Sequence, residues 1–255
     1  MTITVDVREL ETKVRALYRD VAARPYGTYH FALGRPLAEQ LGYPADLLDQ
    51  VPVRAVESFA GVGYFLDLAG LRPGERVLDL GSGSGMDSFC AARLVGASGR
   101  VTGVDFTSAQ VDKANLLAIQ ARSPQIGFRY GRIEALPEPP KSADCVISNG
   151  VINLCPDKAR VFAEVARVLR PGGRMAIADI VTTRPLKDSI VCDADLWASC
   201  IGGAAQRDAY RAAIEGAGLR IVATRENPYQ FLSDRARDAT TRYGVKSISL
   251  LATKA

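Results

Sequence analysis

The run Val77-Leu78-Asp79-Leu80-Gly81-Ser82-Gly83-Ser84-Gly85 sets a short apolar segment directly against a loop with glycine at every second position. The segment reads as a buried strand, and the glycines let the backbone turn sharply and lie against a ligand with its N–H groups exposed near a helix start. A strand, a nucleotide-binding loop and a helix are therefore expected in succession. The dinucleotide form of such a loop needs a third glycine three residues after the second, where the helix packs on the strand. Met86 stands there counting from Gly81 and Gly83, and Ser88 counting from Gly83 and Gly85, so neither register suits NAD.

The residues that follow repeat one pattern. Strands are expected at Val77–Leu80, Arg100–Val104, Gly127–Tyr130, Cys145–Ser148, Arg174–Ile180, Arg220–Thr224 and Ser247–Ala252, with helices at Met86–Val95, Ser108–Ala121, Asp157–Leu169 and Arg207–Ala217. Short β-branched runs separated by helical lengths imply an α/β fold with a doubly wound, mostly parallel seven-stranded sheet, whose ligands sit beyond the strand C-termini. Leu169-Arg170-Pro171-Gly172-Gly173 reads as a helix stop and a turn, and residues 181–204 as an insertion.

Ahead of the sheet, Val7, Leu10, Val14, Leu17, Tyr18 and Val21 recur at helical spacing over residues 7 to 23. Residues 25 to 60 are dense in glycine, proline and aromatics and are expected to form loops and short helices over a site. Residues 1–70 are thus read as a helical and loop cap, and 71–255 as the nucleotide-binding domain with its insertion.

At 255 residues, 47% hydrophobic and 24% charged, the chain can bury one large core. Its net charge of +4 is spread without like-sign blocks, which argues for a small-molecule substrate and against nucleic acid. The amino terminus lacks the basic start and apolar run of a signal peptide, and no apolar stretch would span a bilayer, so no membrane and a cytoplasmic location are expected. The five cysteines show no C-x-x-C spacing and should be reduced thiols.

Asp105 closes the second strand twenty residues after Gly85, where a carboxylate accepts from both hydroxyls of a ribose. After the third strand, the Ile133 N–H is placed to meet an adenine ring nitrogen and Glu134 to accept from the exocyclic amine. The loop after the fourth strand, from Asn149 to Leu154, would face the reacting end. This order matches S-adenosylmethionine (SAM), with S-adenosylhomocysteine as product, rather than NAD. The residues expected to bind it are Asp79, Gly81, Ser82, Gly83, Asp105, Phe106, Gln110, Ile133, Glu134, Asn149 and Val151.

The loop form hh-D-h-G-x-G-x-G resembles motif I of the class I SAM-dependent methyltransferases. With Gly131-Arg132-Ile133-Glu134, the stretch Asn149 to Lys158 and Leu196 to Ala204 added, the chain from about Ala55 to Gly218 resembles bacterial arsenite methyltransferases and their relatives. The resemblance implies that Asp79 holds the methionine amino group and that Cys200, in Cys200-Ile201-Gly202-Gly203-Ala204, is an arsenic ligand, arsenic(III) being thiophilic. Ser88 and Val62 stand where that family has two further cysteines. Cys155, in the loop after the fourth strand, is the partner expected for Cys200. Cys90 and Cys192 are weaker candidates and Cys145 is expected in the core.

Methyl transfer from a sulfonium gains chiefly from alignment in a dry site and requires no metal. A soft nucleophile needs little base, whereas a hydroxyl needs one, and His30, beside Tyr26 and Tyr29, is the candidate base. The sequence reading therefore centres on a methyltransferase of arsenite or another thiol-type acceptor. A C-, O- or N-methyltransferase of an organic metabolite and a non-catalytic SAM- or metalloid-binding protein are the alternatives.

Overall fold

The computed structural model describes residues 5–198, 201–232 and 234–255 of the chain. The first helix, α1 (Val7–Ala23), starts where Asp6 accepts from the N–H groups of Arg8 and Glu9, and it buries Leu10, Val14 and Val21. Four short helices follow: α2 (Gly34–Gln40), α3 (Ala45–Leu48), α4 (Val53–Glu57) and α5 (Leu66–Ala69). This is the loop-rich stretch expected from its glycine, proline and aromatic content.

From Arg76 strands and helices alternate: β1 (Arg76–Leu80), α6 (Met86–Val95), β2 (Arg100–Asp105), α7 (Ser108–Gln120), β3 (Ile126–Tyr130) and β4 (Ala143–Asn149). A 3₁₀ turn at Ile152–Leu154 leads to α8 (Lys158–Val168) and β5 (Leu169–Thr182), and the insertion carries α9 (Asp188–Val191) and α10 (Ala194–Ala198). The chain then forms β6 (Ala205–Gln206), α11 (Arg207–Gly216), β7 (Leu219–Glu226), α12 (Asp234–Tyr243) and β8 (Lys246–Lys254).

The sheet runs β3-β2-β1-β4-β5-β8-β7, with β6 beside β5. Strands β1 to β5 pair in parallel, and β8 runs antiparallel to both β5 and β7. The expected turn at 169–173 is present as an excursion inside β5: Ala143 pairs with Leu169, but Cys145 pairs with Arg174, so residues 170–173 loop out of register. The two-residue β6 was too short to leave a periodic signal in the sequence. Helix α12 was equally hidden, being strongly polar and burying only Ala236 and Ala239 among its described side chains.

Both faces of the sheet are covered, which is why its central strands read as continuous apolar runs. Val77, Cys145 and Ile147 pack under α2 to α7, whereas Leu78, Leu80 and Val146 pack on α8 and α11. The strand order reverses between β1 and β4, and a ligand crevice opens beyond the C-terminal ends of strands at such a point. Among the described residues no helix is long and apolar enough to cross a membrane.

The insertion is seated by close packing. Trp197 of α10 is 4% exposed, donates its indole N–H to the Val191 carbonyl at 2.6 Å, and lies 5.1 Å from the Lys158 ammonium. Gly203 fits beneath it: a Cβ there would come within 1.9 Å of the Asn153 carbonyl oxygen and 2.5 Å of the Trp197 ring. Gly203→Ala is expected to destabilise the protein by about 3 kcal/mol through overpacking, read as a lowered urea midpoint at constant m-value. An unchanged midpoint would show that this seam yields freely.

Candidate active site

A cavity enclosing about 1140 Å³, open solvent at its mouth included, lies at the strand C-termini under α1. The glycine loop forms its floor. The N–H groups of Gly81 and Ser82 bond the Val104 carbonyl at 2.7 and 3.1 Å, so the loop is laid across the end of β2. Gly81 has a left-handed φ of 67°, and a Cβ on it would meet the Val151 side chain at 2.4 Å. The loop and the segment after β4 therefore approach as closely as glycine permits.

Asp79 and Asp105 end adjacent strands and are both buried. Asp105 accepts from the Gly83 N–H at 2.9 Å and the Thr107 N–H at 2.8 Å, yet burial still raises its pKa. Asp79 accepts from the Ser88 hydroxyl at 2.6 Å. Burial, and then the neighbouring Asp87 carboxylate, push the Asp79 pKa well above the usual range. Asp87 itself is raised to about 6 by burial, against the opposing effects of the Tyr43 hydroxyl and the Asn149 amide that donate to it. Asp87, unforeseen from the sequence, is thus half of a buried carboxylate pair on the cavity wall.

At the far end Ile133, Glu134, Cys155 and Pro156 line the wall. The Cys155 thiol donates to Glu134 Oε1 at 3.1 Å, and Arg132 reaches the same oxygen at 3.7 Å. Burial, then the Glu134 charge, raise the Cys155 pKa, so its sulfur keeps its proton. The roof is α1, with Leu10, Glu11, Val14 and Tyr18 on the wall. It is tethered by a Glu11–Arg132 ion pair, by Arg15 over Phe106, and by Gln110, which donates to the Tyr18 carbonyl at 2.8 Å and accepts from the Ser84 hydroxyl at 2.5 Å.

All eleven residues expected to bind the cofactor line this one cavity. Asn149 does so with its amide engaged by the protein: its oxygen accepts from the Val62 N–H at 2.7 Å, and its nitrogen donates to the Gly63 carbonyl and to Asp87 at 3.0 Å each. His30 is not among the residues that line the cavity; it stands edge-on to Phe31, ring centroids 4.6 Å apart. The part of α1 at the site was also missed, because helical spacing shows which face is buried but not what it covers. Cys90 and Cys145 are fully buried and Cys192 is half-buried, and all four described cysteines are free. Cys200 lies outside the described residues.

The wall fits a polar nucleoside. Ser82 Oγ is buried on it without a hydrogen-bond partner, and the Asp105 carboxylate lines the same wall at the end of β2. A doubly wound sheet with this strand order, an acidic residue near the end of β1 running into the glycine loop and a carboxylate ending β2 is the arrangement expected of the class I SAM-dependent methyltransferase fold that the sequence resembles.

Comparison with known proteins agrees. Residues 71–225 match the family described as "Methyltransferase domain", and the chain belongs to that family. It is 42% identical over 199 residues to an arsenite methyltransferase of Halobacterium salinarum, covering 77% of this chain and 51% of the relative. It is also 42% identical over 165 residues to that of Aquipseudomonas alcaligenes, covering 62% and 47%. The crystal structure of an arsenic(III) SAM methyltransferase from Chlamydomonas reinhardtii superposes with a TM-score of 0.65 at 34% identity, covering 87% of this chain and 74% of that one. The chain spans about half the length of these two curated relatives.

Proposed function

We propose that the protein transfers a methyl group from SAM to a small acceptor that enters beside Phe59, Gly61 and Val151, with arsenite the first acceptor to test. The convergence of the glycine loop, Asp79, Asp105 and Glu134 on one cavity is the observation that supports the cofactor. When bound, SAM supplies a methyl group on a sulfonium, which is transferred by in-line displacement. Asp79 takes the amino group of the cofactor, Asp105 the ribose hydroxyls, and Ile133 with Glu134 the adenine edge. Leu10, Val14, Phe59 and Leu154 exclude water. Residues 1–70 act as the cap, and the free thiols fit a reducing cytoplasm.

Arsenite is the acceptor named for the relatives at 42% identity, and Cys200 is the thiol that the resemblance assigns to it. An organic acceptor is the second reading. Its support is that Cys155 is the one thiol on the wall among the described residues and is bound to Glu134, while Ser88 gives its hydroxyl to Asp79. Incubation with SAM and arsenite, following S-adenosylhomocysteine and methylated arsenic, separates the two. Arsenic methylation that is lost in Cys200→Ser supports the first. No methylated arsenic, with turnover of an organic acceptor unaffected by Cys200→Ser, overturns it.

A further inference from the structure

We propose that Cys155 is a positioning residue, acting through Glu134 to select the adenine amine of the cofactor, and not an arsenic ligand or nucleophile. The inference rests on the cofactor reading above and goes beyond it by giving one thiol a task. Three observations carry it. Cys155 is 5% exposed at the cavity wall, and its thiol donates to Glu134 Oε1 at 3.1 Å. Its backbone is fixed on both sides: the Cys155 N–H bonds the Ile152 carbonyl at 3.0 Å, and its carbonyl accepts from the Lys158 ammonium at 2.9 Å. Finally, the contacts described for the Glu134 carboxylate, from Cys155 and Arg132, fall on Oε1, which leaves Oε2 for a ligand donor.

A thiol suits this task. Its donor is neutral and weak, so it orients a carboxylate without cancelling its charge, and its body is apolar enough to be buried in the cluster that holds Ile133 and Ile152. Arg132 cannot do the same alone, because it is committed to Glu11 on α1 and reaches Glu134 at only 3.7 Å. As a thiolate, Cys155 would lose its hydrogen bond and face a carboxylate of like charge, which disfavours its use as a soft-metal ligand. Oriented in this way, Glu134 accepts from an exocyclic amine and repels a carbonyl at the same position.

The test compares S-adenosylhomocysteine with S-inosylhomocysteine, which carries a carbonyl in place of the amine, by calorimetry on the full chain. The wild type is expected to favour the adenosyl ligand by about tenfold or more, since a site built to accept one hydrogen bond rejects the ligand that cannot make it. In Cys155→Ala the preference should fall to about threefold or less, and in Cys155→Ser, which keeps a donor, it should be retained. Glu134→Gln should abolish the preference, and adding Cys155→Ala to it should change nothing further. A merely structural role would weaken both ligands equally and leave their ratio intact, and that result in Cys155→Ala overturns the proposal. Failure of the wild type to bind S-adenosylhomocysteine would instead overturn the cofactor reading, and equal binding of both ligands by the wild type would overturn the assignment of Glu134 to the amine.

Discussion

Gly81→Ala is expected to lower methyl transfer by on the order of 100-fold or more, which corresponds to roughly 3 kcal/mol. Two costs add at this position. The backbone φ of 67° is left-handed, a conformation that costs a residue with a Cβ roughly 1–2 kcal/mol. The new Cβ would also lie 2.4 Å from Val151 Cγ2 and 2.5 Å from Cγ1, forcing the glycine loop away from the segment after β4. The loop cannot move without pulling the Gly81 and Ser82 N–H groups off the Val104 carbonyl. The loss should appear as weakened S-adenosylhomocysteine binding in calorimetry, beside the lowered melting temperature that the same strain imposes. Val151→Ala in the same chain removes the two nearest atoms and should restore part of the affinity. Unaltered binding by Gly81→Ala would mean that the loop is not the floor of the cofactor site.

The unliganded protein should lose stability as pH rises from about 4 to 6 and level off above that, because Asp87 is buried beside Asp79. Its folded pKa of about 6 lies above the ordinary carboxylate value. The fold therefore favours the protonated carboxyl, and this contribution is fully present below pH 4 and lost as pH rises through 6. The shift is worth up to about 3 kcal/mol. The groups facing the carboxyl are the Tyr43 hydroxyl and the Asn149 amide, which stabilise its charge, and the Asp79 carboxylate, itself held by Ser88. Thermal denaturation of Asp87→Asn should show a flatter pH profile across this range and a higher melting temperature at pH 7. S-adenosylhomocysteine, whose amino group is proposed to meet Asp79, should stabilise the wild type more at pH 7 than at pH 5. The same slope in wild type and Asp87→Asn would remove the carboxylate pair as its origin.

The cost of that pair has a rationale. A site for a cationic amino group needs negative charge held in a place that water cannot screen, and such charge is unfavourable until the cation arrives. Tyr43 lies between α2 and α3, so the loop-rich segment ahead of the sheet supplies a donor to Asp87.

Which parts of this molecule could be read from its residues follows from how local each signal is. The glycine loop, the acidic strand ends and the alternation of short apolar runs with helical lengths are contiguous patterns, and they marked seven of the strands and eleven residues that the fold brings to one cavity. The parallel alignment of β1 with β2 pairs Asp79 with Gly103, which brings Asp79 and Asp105 to the same end of the sheet two residues apart in register. His30 is singled out by its chemical type and its place beside Tyr26 and Tyr29, and only the fold shows its ring edge-on to Phe31. Tyr43 and Asp87 lie 44 positions apart, and only the packing of the cap on α6 brings them together.

The sequence by itself determined the nucleotide-type loop and, through the missing third glycine and the order of Asp105, Ile133 and Glu134 along the chain, the expectation of SAM rather than NAD, because each of these signals is a short contiguous pattern. Tertiary structure alone decided which charged groups share that site. Ser88 ties Asp79, Cys155 ties Glu134, and α1 roofs the whole, because burial and distance depend on how separate elements dock, and no local pattern of residues records that.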